Sequence, residues 1–268
     1  MGKLEGKVAI VTGGARGIGR AAAIEMAKQG ADVAVLDIAG GGPTPLGYAA
    51  ASNDELEQTA QDVKKLGRKG LAIICDVRES DQVKRAVEGT REALGKIDIL
   101  ICNAGVIFPK PTWDMTEDEW QTVIDINLTG YWRFVKLIAP EMIERQSGRI
   151  IMVSSVGGLK ASGGNAGYTA SKFGVVGLSR SLAIELAPYR ITVNTIHPGM
   201  VDTEMVRSLG SGKDSGVRWT PEKFLEKQLF DELIPPEDLG QAISWLASDE
   251  ARFVTGHAMV VDAGFLIK

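Results

Sequence analysis

Cysteine and histidine are scarce in this sequence, with two residues of each among 268. Cys75 and Cys102 each fall at the end of a predicted strand. In the usual strand order of a doubly wound sheet these strands lie three steps apart, about 14 Å, whereas a disulfide needs Cα atoms within about 7 Å. We therefore expect both thiols to be free, buried and inert. His197 and His257 have no carboxylate or thiol at ligand spacing, so we expect no metal site.

Long apolar runs and long basic runs are also missing. No apolar stretch reaches about 18 residues, so we expect no membrane span. No long Lys/Arg run occurs and the net charge is -4, so we expect no nucleic-acid partner. The N-terminus is too polar for a signal peptide, and Gly6 stands where a myristoylation signal needs Ser or Thr. These features predict a cytoplasmic protein. The absence of Gly-x-Ser-x-Gly removes the commonest α/β-hydrolase signature.

Glycine, in contrast, is abundant, with 32 residues, and several lie in one turn near the start of the chain. The apolar run 8–11 predicts a buried strand, the segment Thr12–Gly19 follows at once, and a helix is predicted after it. A second strand at 33–36 ends in Asp37, eighteen residues past Gly19. Such a turn binds a pyrophosphate through backbone amides and the helix N-terminus. The spacing predicts a dinucleotide site. The turn residues predicted to contact the cofactor are Gly13, Arg16, Gly17, Ile18 and Gly19.

Asp37 indicates which dinucleotide is bound. A carboxylate at this strand end accepts hydrogen bonds from the ribose hydroxyls of NAD and repels the 2′-phosphate of NADP. Arg16 favours the opposite choice, because its guanidinium could reach that phosphate. The residue after the acid is Ile38, which is not basic. The sequence therefore predicts NAD.

The rest of the chain alternates predicted strands and helices, with no repeat, linker or change of composition. Further strands are predicted at 71–75, 97–102, 150–153, 191–196 and 258–261, and further helices from Ser52, at 82–94, 116–143 and 236–246. This alternation predicts one α/β domain spanning residues 1–268, with a doubly wound (Rossmann) parallel sheet and helices on both faces. Asp76 and Val77 follow the third strand, where a carboxylate and a backbone amide could frame adenine.

Two segments are predicted to have irregular structure. The Gly/Pro-rich loop 38–51 is long for a strand-to-helix connection. It either covers the adenosine ribose, because it leaves from Asp37, or is a tolerated surface insertion. Residues 204–232 are rich in large apolar side chains. They form either a lid over an apolar substrate or a packed surface excursion.

A serine, a tyrosine and a lysine follow the predicted strand 150–153. Tyr168 and Lys172 are four residues apart, so on a helix they lie on one face, one turn apart. A positive charge about 4 Å from a phenol, at an effective dielectric near 20, lowers the phenol pKa by about three units at most. Ser155 could hydrogen-bond the same substrate oxygen. A Tyr/Lys pair at this spacing occurs by chance on many helices, and it is the surrounding motifs that favour a catalytic role for this one.

With these motifs in place, the chain resembles the short-chain dehydrogenase/reductase family over its whole length. The motifs that carry the resemblance are Thr12-Gly13-x-x-x-Gly17-x-Gly19, Asp76-Val77, Asn103-Ala104-Gly105, Asn127, Ser155, Tyr168-x-x-x-Lys172, Pro198-Gly199 and Val261-Asp262-Ala263-Gly264. The resemblance implies a seven-stranded parallel sheet and a homotetramer. The loop after Asp37 is similar to that of the carveol-dehydrogenase-type branch, whose members oxidise cyclic terpenoid alcohols and keep NAD tightly bound.

The resemblance also implies roles for individual residues. Tyr168 would be the acid/base, Ser155 would polarise the carbonyl, and Lys172 would bind the nicotinamide ribose and lower the pKa of Tyr168. Asn127 would hold a water that relays the proton, and Thr203 would bond the carboxamide. The cofactor-contacting residues implied beyond the glycine turn are Asp37, Asp76, Val77, Asn103, Gly105, Tyr168, Lys172, Val201 and Thr203.

The leading functional hypothesis is an NAD-dependent oxidoreductase that interconverts an apolar, cyclic, terpenoid-like secondary alcohol and its ketone. One alternative is a 3-oxoacyl-[acyl-carrier-protein] reductase, which would use NADP and a basic docking patch. Arg207, Lys213 and Arg218 supply only a thin patch of that kind. The other alternative is a non-catalytic NAD-binding protein, which would have no need of Tyr168 beside Lys172.

Overall fold

The computed structural model describes residues 2–40, 49–209, 223 and 225–268. Within them, seven parallel strands form one sheet in the order β3-β2-β1-β4-β5-β6-β7. The strands are β1 Val8–Thr12, β2 Asp32–Asp37, β3 Gly70–Ile74, β4 Ile99–Cys102, β5 Gly148–Val153, β6 Ile191–Pro198 and β7 Ala258–Val261. Strands β1 and β4 are buried at every position, as their continuous apolar runs predict for a sheet covered on both faces.

Helices cover both faces of the sheet. The helices are α1 Gly17–Lys28, α2 Asn53–Lys65, α3 Ser80–Leu94, α4 Glu117–Ile124, α5 Gly130–Arg145, α6 Ala166–Leu186, α7 Glu204–Arg207 and α8 Pro236–Ala247. One apolar core contains side chains of α3, α5 and α6, and the other contains side chains of α1, α2 and α8. The predicted doubly wound fold is confirmed. The strand order reverses between β1 and β4, so the crevice beyond their carboxyl ends is where a ligand is expected.

Local capping signals in the sequence fix the start of some helices. Ser52 and Glu55 form a capping box at the predicted start of α2, with the Glu55 carboxylate accepting from the Ser52 N–H at 2.7 Å. Thr116 and Glu119 form a second box at the start of α4. Side-chain oxygens thus satisfy backbone N–H groups that the first turn of a helix leaves without partners.

The long helix predicted over 116–143 is confirmed as one helical segment, but it is not α-helical throughout. The chain forms α4, then a π-helical turn at Asp125–Thr129, then α5. The N–H of Gly130 donates to the carbonyl of Asp125, five residues earlier. Apolar periodicity continues through such a turn, so the sequence pattern does not reveal it. Such turns are frequent at functional sites, and this one carries Asn127.

Both cysteines are free and buried, as predicted. Burial raises the pKa of the Cys75 thiol to about 12 and that of Cys102 further, so neither forms a thiolate readily at neutral pH. Across the described ranges, no helix is both long and apolar enough to cross a membrane, and no group of three His, Cys, Asp or Glu side chains could hold a metal.

Parts of two predicted features lie outside the described residues. In the loop 38–51 the structure describes 38–40 and 49–51. In the predicted lid, residues 210–222 and 224 lie outside the described part of the chain. The described parts of the lid are residues 204–209, which include α7, together with Lys223 and residues 225–232.

Candidate active site

The turn between β1 and α1 presents its backbone to the crevice. Gly13 and Gly17 have left-handed backbones, with φ of +64° and +58°. A Cβ on Gly13 would come within 2.8 Å of the Ala104 Cα, and one on Gly19 would collide with the Gly13 carbonyl. Arg16, the residue before α1, gives no side-chain hydrogen bond to the first turn of the helix. The amides of that turn are therefore available to an anion such as a pyrophosphate.

Asn103 joins the ends of β1 and β4. Its side-chain amide donates to the carbonyls of Thr12, at 3.0 Å, and Gly13, at 2.9 Å. In return, the Thr12 hydroxyl accepts from the N–H groups of Asn103, at 2.9 Å, and Ala104, at 3.1 Å. These bonds hold the glycine turn against the loop after β4, so the distance between the two sides of the crevice is fixed.

Asp37 ends β2 and lies half-buried in the wall of the crevice. Its carboxylate accepts from the backbone N–H of Ala15, at 3.1 Å, and of Ile38, at 2.8 Å. Burial raises the pKa of Asp37 above its ordinary value, and these two bonds act in the opposite direction. A carboxylate accepts about four hydrogen bonds, so further capacity is left for ribose hydroxyls.

Arg16 connects the glycine turn to the long loop after β2. Its guanidinium donates to the carbonyl of Ala49 at 2.7 Å. Ala49 is the first described residue after the gap at 41–48. The Arg16 guanidinium, which could have reached the 2′-phosphate of NADP, therefore donates a hydrogen bond to the far end of this loop.

Asp76 and Val77 line the side of the crevice beyond β3. The Asp76 carboxylate accepts from Arg78 through the guanidinium, at 2.6 Å from Nη2, and through the backbone N–H, at 2.9 Å. Burial alone would raise the pKa of Asp76, but the Arg78 bonds hold it below its ordinary value. Asp76 is therefore a fixed carboxylate, of the kind predicted to frame adenine.

Val201 and Thr203 lie across the crevice from the glycine turn, in the loop after β6. The Thr203 hydroxyl caps α7 by accepting from the Val206 N–H at 3.4 Å. A Cβ on Gly17 would come within 3.2 Å of the Thr203 methyl group. Glycine at position 17 thus allows the loop after β6 to approach the turn closely.

Ser155, Tyr168 and Lys172 converge where β5 and α6 meet. The Ser155 hydroxyl accepts from the Gly157 N–H at 3.0 Å, and it lies close enough to Tyr168 to act on the pKa of that phenol. The Lys172 ammonium donates to the Val153 carbonyl at 2.8 Å and lies 5.6 Å from the centre of the Tyr168 ring. The three side chains predicted from their spacing are therefore brought together.

The pKa directions at this pair differ from the expectation. Burial raises the pKa of Tyr168, although the Ser155 hydroxyl acts in the opposite direction. Burial lowers the pKa of Lys172 to about 7. The expectation that Lys172 leaves Tyr168 with a lowered pKa is wrong for the protein without cofactor. The argument from spacing counted the ammonium charge and left out the cost of burying both groups.

Asn127 is fully buried on the π-helical turn. Its amide nitrogen donates to the Val106 carbonyl, at 2.9 Å, and to the Ser171 hydroxyl, at 3.0 Å, and its oxygen accepts from the Val106 N–H at 2.8 Å. Asn127 thereby holds the loop after β4 against α6. The proton-relaying water implied for Asn127 stays a prediction.

One cavity of about 550 Å³ runs along the crevice. The predicted residues that line it are Gly13, Arg16, Gly17, Ile18, Asp37, Asp76, Val77, Asn103, Gly105, Ser155, Tyr168, Lys172, Val201 and Thr203. Gly19 and Asn127 do not line it. Gly19 packs against the carbonyl of Gly13, and Asn127 is enclosed by Val106 and Ser171. Exposed glycine backbone, the first-turn amides of α1 and a carboxylate at the end of β2 fit a pyrophosphate and a ribose.

Sequence reasoning missed Ser171, Gln228 and His197, which support the site. Ser171 accepts from Asn127 and donates to the Tyr168 carbonyl at 2.7 Å. Gln228 is 2% exposed, although it lies in a segment of exposed residues, and it accepts from the Met200 N–H at 3.0 Å. A hydroxyl directly before Lys172 could have drawn attention to Ser171. Nothing in the sequence distinguishes Gln228, because its role depends on a contact 28 residues away.

Comparison with protein families gives a match over residues 7–214 to the model described as short chain dehydrogenase. The (-)-trans-carveol dehydrogenase of Rhodococcus erythropolis is 39% identical over 278 aligned positions, which cover the whole of both chains.

Solved structures give the same relationship. The crystal structure of carveol dehydrogenase from Mycobacterium avium in complex with NAD superposes with a TM-score of 0.93 and 37% identity over the full length of both chains. The crystal structure of a short chain dehydrogenase from Mycobacterium paratuberculosis bound to NAD gives 0.90 and 40%, over 98% of this chain and 99% of that one.

Proposed function

The chain belongs to the short-chain dehydrogenase family, and from this membership we propose that it interconverts an apolar, cyclic, terpenoid-like secondary alcohol and its ketone. It is an NAD-dependent oxidoreductase. The observation that carries the proposal is the convergence of Ser155, Tyr168 and Lys172 at one end of the crevice whose other end holds Asp37. The similarity to carveol dehydrogenases supports the substrate class.

In the proposed mechanism Tyr168 moves the proton. In ketone reduction its phenol gives a proton to the carbonyl oxygen, and in alcohol oxidation its deprotonated form takes the hydroxyl proton. The Ser155 hydroxyl donates to the same oxygen and fixes its position. A dinucleotide held by the glycine turn, Asp37 and Lys172 would supply the hydride acceptor for alcohol oxidation and, in its reduced form, the hydride donor for ketone reduction. The C–O single bond of the alcohol thus becomes the C=O bond of the ketone.

Lys172 is proposed to stabilise the phenolate. Its ammonium is held beside the Tyr168 ring through the Val153 carbonyl. Because burial lowers its pKa to about 7, it carries only part of its charge at neutral pH. A bound cofactor that accepts a hydrogen bond from Lys172 would favour the charged form. Cofactor binding would then bring the pair to the charge state that the mechanism needs.

We propose that the described start of the predicted lid, residues 204–209, covers the substrate, while residues 210–222 and 224 lie outside the described part of the chain. Met205, Val206 and Arg207 of this segment line the cavity beside Thr203. Their position next to the proposed carboxamide site supports a cover that closes over the nicotinamide end.

The alternative hypothesis of a 3-oxoacyl-[acyl-carrier-protein] reductase loses part of the basic patch on which it depends. Arg207, one of the three basic residues that could dock an acidic partner, forms a two-bond ion pair with Asp202, with both bonds at 2.8 Å. That pairing reduces the positive charge available to a partner. Lys213 and Arg218 lie outside the described residues.

A homotetramer is proposed from the family resemblance. Phe173 and Ile184 of α6 are 45% and 78% exposed, and a Cβ on Gly177 would meet no atom within 4 Å, which leaves room for a neighbouring helix. Gly174, another small residue of α6, faces Leu128 of its own chain. Light scattering at micromolar concentration tests this assembly, and a stable monomer would contradict it.

A panel of cyclic and linear secondary alcohols tests the substrate class. Each alcohol is offered with NAD and, separately, with NADP, and the reduced cofactor is followed by its absorbance. We expect the highest kcat/KM with a cyclic, apolar alcohol and NAD. Faster turnover of linear 3-hydroxyacyl thioesters with NADP would favour the carrier-protein alternative.

A further inference from the structure

His197 is fully buried at the end of β6, directly before Pro198. Its ring makes two short contacts. Nδ1 lies 2.7 Å from the carbonyl oxygen of Ser155, and Nε2 lies 2.8 Å from the hydroxyl of Thr195. The mechanism above gives this imidazole no part, yet it touches the main chain of a residue that is proposed to contact the substrate.

The two contacts fix the state of the ring. A carbonyl oxygen only accepts hydrogen bonds, so Nδ1 must carry the proton that is donated to Ser155. In the neutral ring Nε2 is then the acceptor, and it takes the Thr195 hydroxyl proton in preference to the His257 carbonyl, which lies farther from the same hydroxyl, at 3.3 Å against 2.8 Å. Burial lowers the pKa of His197, which keeps the ring neutral. Both nitrogens of one tautomer are therefore satisfied.

Ser155 needs support at this point because the β5–β6 backbone pairing is ending. The N–H of Ser154 still donates to the Ile196 carbonyl at 2.8 Å. Pro198 has no N–H and cannot continue the pairing as a donor. After β5 ends at Val153, Ser155 caps a 3₁₀ turn, in which the Gly158 N–H donates to the Ser155 carbonyl at 2.9 Å. His197 adds a donor from the neighbouring strand to that carbonyl.

We propose that His197 is a positioning residue that fixes the main chain of Ser155, and through it the hydroxyl that holds the substrate oxygen. The inference rests on the proposed function of Ser155. Without the hydrogen bond from His197, the 3₁₀ turn alone sets the orientation of Ser155. The glycine turn and Asp37, at the other end of the cavity, do not contact His197. The effect therefore falls on turnover rather than on NAD binding.

Three substitutions separate the hydrogen bond from simple packing. Asn places its amide nitrogen near the position of Nδ1, so His197→Asn keeps the donor to Ser155. His197→Gln places its amide near Nε2 and loses that donor, and His197→Leu has no donor at all. Because misplacing a reacting group by about 1 Å costs up to about 100-fold, we expect kcat to fall at least about 10-fold in the Gln and Leu variants. The Asn variant should retain most of the parent kcat.

His257→Asn is the matched control, because His257 is the other histidine and its side chain is exposed. Its kcat should equal that of the parent. NAD dissociation constants and unfolding midpoints are measured for all variants. If kcat is the same in the Asn, Gln and Leu variants, or follows their unfolding midpoints, the positioning role is refuted.

The tautomer gives a spectroscopic test. With two histidines in the chain, selective ¹⁵N labelling yields few ring signals, and His257→Asn assigns those of His197. We expect a neutral ring with the proton on Nδ1. A proton on Nε2 would overturn the proposal.

Ser155→Ala distinguishes failure of this inference from failure of the proposed function. If Ser155→Ala retains parent activity, the proposed role of Ser155 fails, and the inference fails with it. If Ser155→Ala is inactive while His197→Leu turns over like the parent, only the positioning role is refuted.

Discussion

Replacing Lys172 by Met should change how the stability of the cofactor-free protein depends on pH. Lys172 is 3% exposed, and burial lowers its pKa from 10.5 to about 7. At about 1.36 kcal/mol per pH unit, holding the ammonium in the folded protein costs on the order of 5 kcal/mol relative to the unfolded chain. Met has similar length and no charge, so Lys172→Met removes this cost.

The direction of this pH dependence follows from the number of protons that the folded and unfolded chains bind. Between about pH 7 and 10.5 the unfolded chain holds a proton on Lys172 that the folded chain has lost. The contribution of Lys172 to the free energy of unfolding therefore rises with pH across that window. Below about pH 7 the folded protein holds the ammonium at full cost, so the contribution is least favourable there.

The assay is urea unfolding of parent and Lys172→Met, without cofactor, at one fixed protein concentration from pH 6 to 9.5. Other titrating groups are common to both proteins, so the difference between their unfolding free energies isolates Lys172. We expect the advantage of the Met variant to shrink by about 2 to 3 kcal/mol between pH 7.5 and 9.5. Lys64→Met, at an exposed position of α2, controls for the loss of a lysine. Parallel curves for parent and Lys172→Met would refute the reasoning.

Two further predictions concern the cofactor. Asp37→Ala should lose hydrogen bonds to the ribose and relieve repulsion of a 2′-phosphate, so the ratio of NAD affinity to NADP affinity should fall about 10-fold or more. Titration of the parent and the variant with both cofactors measures this ratio. A parent protein that already prefers NADP would contradict the prediction. Protein purified without added cofactor should retain some NAD, and either shortening the loop 38–51 or Arg16→Ala, which removes the bond to Ala49, should speed its release. Stopped-flow release measurements test the loop, and unchanged rates in both variants would leave it a surface insertion.

The positions of the strand ends, and of the site residues that directly follow them, are predictable because both depend on local pattern. Buried parallel strands are short apolar runs, and their carboxyl ends share one edge of the sheet. Asp37, Asp76, Asn103 and Ser155 each follow such a run, and all four line the crevice.

What the sequence did not reveal depends on contacts between distant segments. The π-helical turn keeps the apolar periodicity of a normal helix. The pKa directions of Tyr168 and Lys172 depend on burial that their spacing does not encode. Gly174 is small enough to allow close packing between subunits, but its neighbour is Leu128 of the same chain. His197 hydrogen-bonds a residue 42 positions away, which no local motif indicates.

The central claim is that Tyr168 carries the proton in an NAD-dependent alcohol oxidation, and Tyr168→Phe tests it most directly. The variant keeps the ring and removes the hydroxyl. With the best cyclic alcohol of the panel, we expect kcat to fall by at least about 100-fold, while the NAD dissociation constant stays within about 3-fold, since one hydrogen bond contributes only about 1 kcal/mol. A variant that turns over within a few-fold of the parent would contradict the assignment.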